Sequence, residues 1–323
     1  MLLLKEILLF ALGLFLLIKG GDWFVDGSVG VAKRFHVPEL LIGATVVSIG
    51  TTLPEVMVSC FGAAGGSGEM AYGNAIGSVI CNTSLIAAIT IAVRPSEVDK
   101  KSLGLPVAFF FGSAAIYCAI AYYFKNFSRI SGVLLLLVFF AYMIISVINA
   151  KKTSVPAEAE ENEDNNSSAF KDIMLLVIGA VVIAVGAKLL VDNGKSIAYR
   201  VGVPETVIAL TFVALGTSLP ELVTAITSLV KGHGALSLGN IVGANLFNIV
   251  LVSGTAITIA PFKVPSANTF MGYNTSLLIE IPLMLFVMAF MTLPALKRGK
   301  LSRFQGITLL ILYAAFCVFQ FVI

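Results

Sequence analysis

Charge is scarce in this chain. Asp, Glu, Lys and Arg make up 12% of its 323 residues, against roughly 25% in soluble domains. Histidine occurs twice, tryptophan once and cysteine four times. So little charge cannot solvate a water-soluble globule of this length, and the 58% of apolar residues name a bilayer as the solvent instead. Cys60, Cys81, Cys118 and Cys317 are scattered through apolar stretches without ligand spacing, so they read as packing residues and not as a disulfide framework or metal cluster. HExxH and GxSxG are both missing, which leaves an intramembrane enzyme without its metal or nucleophile. The net charge of +3 reports membrane topology, with no sign of a nucleic-acid partner.

What is present is a series of apolar stretches, each near the 20 residues that cross about 30 Å of hydrocarbon. Ten are found, at 3–25, 38–63, 70–93, 103–124, 129–149, 171–192, 204–230, 235–260, 271–294 and 303–323. They must be helices, because a lipid-exposed strand would leave backbone groups unpaired and the alternation of a barrel is absent. The first is followed by Gly20-Gly21-Asp22, so it reads as a retained helix and not a cleaved signal. With the N-terminus outside, the inner loops hold thirteen Lys and Arg and the outer segments six. That bias places both termini outside a cell's inner membrane. His36 and His233 then fall in inner loops, away from any ligand cluster.

Residues 150–171, AKKTSVPAEAEENEDNNSSAFK, are polar and acidic. They read as a disordered cytoplasmic linker, and Glu158, Glu160, Glu161, Glu163 and Asp164 as a solvated tether in preference to a regulatory cation site. On either side lie two copies of one sequence. A shift of 166 lays residues 20–82 on 186–248 without a gap, with 22 of 63 positions identical. VPE at 37–39 recurs at 203–205, GTTLPE at 50–55 as GTSLPE at 216–221, and GNAIGSVICN at 73–82 as GNIVGANLFN at 239–248. Each copy contains five spans, an odd number, so the second enters the membrane upside down. The expected fold is therefore an all-α polytopic membrane protein of ten transmembrane helices. Residues 1–149 and 172–323 form inverted five-helix repeats, with discontinuous helices 2, 3, 7 and 8 around a midplane ion site.

Pro54 and Pro220 sit inside two of these spans. Each lacks an N–H and crowds the carbonyl four residues back, which loosens Gly50 and Thr51 in one copy and Gly216 and Thr217 in the other. A carboxylate follows each proline, Glu55 and Glu221. An acid at that depth costs about 3 kcal/mol on insertion scales and faces the protein interior or a water-filled cavity. Asn74, Ser78 and Asn82 recur every four residues as a polar stripe, matched by Asn240, Ala244 and Asn248. Asn74, Asn240 and Ser78 read equally well as ligands or as interhelical glue. Glu280, before Pro282, has no counterpart in the repeat and reads as interfacial. Two carboxylates with carbonyl, hydroxyl and amide oxygens supply the six to eight ligands that calcium accepts, and sodium can use subsets of them.

These paired motifs resemble the alpha-1 and alpha-2 repeat motifs of the cation/calcium exchanger superfamily, here at 43–82 and 209–248. The bacterial sodium/calcium antiporter-like proteins are the most similar group. The resemblance implies antiport of calcium against sodium by alternating access, with no cofactor and a single chain sufficient for transport. It implies that Glu55 and Glu221 hold calcium with the carbonyls of Thr51 and Thr217. Sodium would take the Ser48 carbonyl, Thr51 and Ser78 on one side, and the Ala214 carbonyl and Thr217 on the other. Asn82 and Asn248 would be central, with Thr52 and Ser218 completing the set. Two departures stand out. Potassium-dependent relatives carry an acid where Asn248 stands, and Ala244 lacks the hydroxyl that relatives place opposite Ser78. Proton/calcium or other cation antiport on the same fold is the alternative, ahead of a passive channel.

Overall fold

The computed structural model describes residues 2–66, 68–95, 97–153, 169–200, 216–266 and 269–322. Among them run ten helices: α1 (Leu2–Arg34), α2 (Glu39–Ala64), α3 (Gly68–Val93), α4 (Lys100–Phe124), α5 (Arg129–Thr153), α6 (Ala169–Arg200), α7 (Leu219–Val230), α8 (Gly234–Ile259), α9 (Ser276–Arg298) and α10 (Arg303–Val322). Eight of them, α2–α6 and α8–α10, are long and apolar enough to cross a membrane. The protein is an all-α polytopic membrane protein. Most of the acidic linker, the second VPE copy at 203–205 and Ala214 lie outside the described residues.

Burial orders the helices into an inside and an outside. The most apolar window of α8 is 89% buried and that of α3 72%, whereas α10 and α6 bury only 17% and 22% of theirs. The outer helices therefore present Ile, Leu, Val and Phe to the surroundings, as lipid contact requires. The inner ones carry the repeat motifs.

Helices α1 and α6 run 33 and 32 residues, longer than the expected spans at 3–25 and 171–192. Their polar ends stay helical because each is paired. Arg34 meets Asp172 at 3.2 Å and Arg200 meets Glu6 at 2.6 Å. These two ion pairs are copies of one another under the 166-residue shift. The crossing between them is equally repetitive. A Cβ on Gly13 would lie 2.7 Å from Leu190 N and 2.9 Å from the Gly186 carbonyl, and one on Gly179 would lie 2.5 Å from Phe24 N and 2.9 Å from the Gly20 carbonyl. Backbone approach this close is available only to glycine.

The expected breaks take a different form from the one the prolines suggested. Helix α2 is unbroken at Pro54, and its irregularity is a π-helical turn at Gly43–Val47. Helices α3 and α8 are likewise continuous but widen into π-helix at Asn82–Ala87 and Asn248–Val252, which begin at repeat-related asparagines. A π-turn absorbs an extra residue and shifts the ladder by one carbonyl, and a nearby hydroxyl can fill the gap. The Ser48 hydroxyl donates to the Gly43 carbonyl at 2.7 Å and that of Ser253 to the Asn248 carbonyl at 3.0 Å. The second copy differs: residues 216–218 form a turn and α7 starts at Leu219, with Pro220 in its first turn, where a missing N–H costs nothing.

Loops that the charge count assigns to one side do meet. Asn126 and Phe127 pair as a short strand with Lys263 and Phe262, while Glu97 bridges to Lys300 at the opposite end. There Asp99 caps α4 through the backbone N–H groups of Lys101 and Ser102, at 3.1 and 3.2 Å. Those bonds and the Ser102 hydroxyl hold its carboxyl below the usual carboxylate range. Glu280 is half-buried in the π-turn that opens α9 and accepts a bond from Gln320 at 3.4 Å.

Because the α1–α6 crossing excludes any side chain at Gly179, a Gly179→Val variant should lose about 1–3 kcal/mol of stability through overpacking. Thermal melting in detergent should show a lower midpoint for Gly179→Val and an unchanged one for the exposed Lys188→Gln.

Candidate cation site

The fold brings the motif carboxylates to one place from opposite halves. Glu55 and Glu221 are both fully buried, and close enough for the charge of one to act on the other. Their surroundings are exchanged between the halves. Glu55 faces the hydroxyls of Ser218 and Thr217, and Glu221 faces those of Thr51 and Thr52. These pairs are equivalent under the 166-residue shift. None of the approaches closes to a hydrogen bond, for among the described residues all four carboxylate oxygens lack a partner, as do the hydroxyls of Thr52 and Ser218. Glu221 also lies in the first turn of α7, where the helix dipole favours negative charge. Glu55, in mid-helix, has no such support.

A second exchange fixes the threonines. The Thr51 hydroxyl donates to Asn240 Oδ1 at 3.1 Å, and the Thr217 hydroxyl donates to Asn74 Oδ1 at 3.3 Å. Each threonine thereby gives its proton to an asparagine of the other half and keeps its lone pairs free. Asn74 Nδ2 reaches back to the Glu55 carbonyl at 3.1 Å and to Ser59 Oγ at 2.8 Å, which ties it to the helix carrying the acid. The Ser48 hydroxyl bonds the Asn240 carbonyl at 2.9 Å as well as Gly43. These asparagines were open between ligand and glue in the sequence. The structure makes them clasps, a role that only the three-dimensional crossing of α3 with α7 and α8 with α2 reveals.

Asn82 and Asn248 are fully buried, with neither amide atom partnered. The π-turn that Asn82 opens packs against α7, and the one that Asn248 opens packs against α2 and α3. Ser78 is buried on α3. Ala214 lies outside the described residues, so its carbonyl has no place in this geometry. His233 pairs with Glu39 at 2.8 Å in a half-buried contact at the α7–α8 turn, away from the acids. The four cysteines are free thiols, half-buried apart from the buried Cys81.

Among the described residues no three of His, Cys, Asp and Glu come together. The donors around the two acids are oxygens: hydroxyl, amide and carboxylate. Such a set suits a hard cation such as calcium or sodium and disfavours softer metals. Beside it a void of about 10 Å³, lined by Gly50, Thr51, Pro54 and Pro220 among others, adjoins the carbonyl that Pro54 frees from the helix ladder.

The sodium/calcium exchanger protein family model matches residues 5–148 and 171–322, the whole chain apart from its ends and the linker. The chain belongs to this family. It is 37% identical over 310 residues to an uncharacterised membrane protein of Methanocaldococcus jannaschii, covering 94% of each chain. To the sodium/calcium exchanger MaX1 of Methanosarcina acetivorans it is 29% identical over 353 residues, covering 98% of each. Its fold superimposes on the solved sodium-calcium exchanger NCX_Mj, soaked with sodium and strontium, with a TM-score of 0.81, 33% identity and 97% of each chain covered. This exchanger-family protein is accordingly a membrane transporter of the cation antiport class and not an enzyme.

The clasps give a testable consequence. Asn240→Ala removes the acceptor that orients Thr51, and a buried hydrogen bond contributes about 0.5–1.5 kcal/mol. Equilibrium cation binding to purified protein should weaken about three- to tenfold. Asn240→Asp, which keeps the acceptor, should bind more tightly than Asn240→Ala.

Proposed function

We propose that this chain exchanges calcium for sodium across the membrane, with Glu55 and Glu221 holding the divalent ion together. The observation that supports this most is the pair of fully buried carboxylates whose oxygens no group among the described residues satisfies. An ionised acid taken out of water loses several kcal/mol of solvation, and two of them sharing a dry site repel each other. One calcium ion answers both costs at once. Its remaining ligands would come from Thr51, Thr52, Thr217 and Ser218, with Asn82 and Asn248 at the centre. Sodium ions would use Ser48, Ser78 and the Ala214 carbonyl with the two motif threonines.

On this reading residues 1–149 and 172–323 are inverted five-helix repeats joined by the 150–171 linker, and exchange of conformation between them opens the site to each face in turn. Both termini lie outside and the linker lies in the cytoplasm. Calcium balances the two carboxylates, whereas three sodium ions, the load that the family resemblance implies, would leave one excess positive charge. Transport is therefore electrogenic. Potassium would need a further carboxylate at the position held by Asn248, so none is required.

Proteoliposomes loaded with sodium and diluted into calcium-45 test this directly. Uptake should proceed without potassium and accelerate when the interior is clamped positive, because net positive charge leaves with sodium. Glu55→Gln and Glu221→Gln should each abolish it, since each removes half of the charge that balances calcium while keeping the side-chain shape. Full calcium uptake by either variant would contradict the site, and voltage-independent uptake the stoichiometry.

A further inference from the structure

Among the described residues six hydroxyls away from the carboxylate pair are buried without a partner, and while Ser84, Tyr117 and Ser146 lie on separate helices, Thr224, Ser228 and Ser237 all belong to the α7–α8 hairpin. Elsewhere in this chain the helical hydroxyls of Ser28, Thr45, Thr255, Thr258 and Thr292 each donate to the carbonyl four residues back. An unsatisfied buried polar group costs about 1–3 kcal/mol, so three in one region call for a ligand. Interhelical glue would show as a hydrogen bond between them.

Their placement forms a line. Glu221, Thr224 and Ser228 share one face of α7 by their spacing. In the first half Asn74 of α3 meets Ser59 of α2. The same register moved by 166 residues brings position 240 opposite 225, and Ser237 opposite Ser228. The line therefore leads from Glu221 to the end of the α7–α8 hairpin. It meets there a small cavity lined by Thr90, Arg94, Ser237, Leu229 and Leu301 among others, next to the exposed Arg94. The equivalent positions in the first half are Val58, Gly62 and Ala71, and the Met70 side chain packs against Gly62. No hydroxyl line is available on that side.

We infer that Thr224, Ser228 and Ser237 line a permeation path along which a partly hydrated hard cation passes between Glu221 and the protein face that carries Arg94. Hydroxyl oxygens replace its water ligands in turn, so that the ion is not stripped in one step. The identity of the cation rests on the proposed function, but the path does not.

Two measurements test it in a background with Cys60, Cys81, Cys118 and Cys317 changed to alanine. Ser237→Cys should react with a membrane-impermeant thiol reagent from one face of sealed vesicles only, the face from which Arg94→Cys reacts, and the transported cation should slow that reaction several-fold. The double variant Thr224→Val with Ser228→Ala should lose about tenfold in turnover while equilibrium cation binding stays as in the parent and the melting temperature does not fall, because no hydrogen bond is removed and two unsatisfied hydroxyls are. Protection of Ser237→Cys from both faces, full turnover of the double variant, or a fall in its binding or melting temperature would each overturn the path. Calcium binding by the parent and its loss in Glu55→Gln report on the identity of the cation separately.

Discussion

Two carboxylates held together in a dry interior are the constraint on which the rest of this structure depends. Glu55 and Glu221 are sealed from solvent, act on each other, and find no donor among the described residues. Such a pair stays folded and ionised only if a cation can come between them, which is what a cation exchanger requires of its site. A carboxylate neutralised by Arg or Lys would be more stable and useless for transport. The features around the pair serve to keep oxygen atoms unspent. Pro54 removes one backbone donor, three π-turns displace carbonyls from the ladder, and two asparagines draw the threonine protons away from the centre.

The oxygens around the pair are supplied crosswise. Each acid faces hydroxyls from the other repeat, and each threonine is held by an asparagine from the other repeat. On the proposed function, a cation bound on one acid would draw on both halves, which would couple its occupancy to their relative position. The symmetry is nonetheless incomplete. Helix α2 runs through its proline while α7 begins at its own, the repeat counterpart of Ser48 is Ala214, and the unpartnered hydroxyls of Thr224, Ser228 and Ser237 have Val58, Gly62 and Ala71 as their counterparts. Two copies of one motif in unequal conformations are what a carrier needs if its two faces are to open in turn.

Much of this was legible in the amino-acid order. Eight of the ten expected spans appear as helices long and apolar enough to cross a membrane, and the duplicated Pro-Glu pairs mark the acids that the fold brings together. Those readings rest on strong local terms, the cost of burying charge and the missing proline N–H. The form of the interruptions was not legible, because a π-turn leaves no compositional mark and Pro54 is accommodated within a continuous helix. The clasping role of Asn74 and Asn240 was hidden for another reason. Buried amides serve equally as glue or ligand, and only the crossing of two helices decides which atoms they meet. The length of α1 and α6 escaped a hydropathy reading, since Asp22, Asp26 and Arg34 look like a span's end until Asp172 and Lys231 are seen to pair with them.

The central claim is that the two acids hold one divalent ion between them. Anomalous diffraction from crystals soaked in strontium tests it most directly. One peak bridged by the carboxylates of Glu55 and Glu221 is the predicted result, and a peak bound by only one of them, or none between them at saturating strontium, would contradict it.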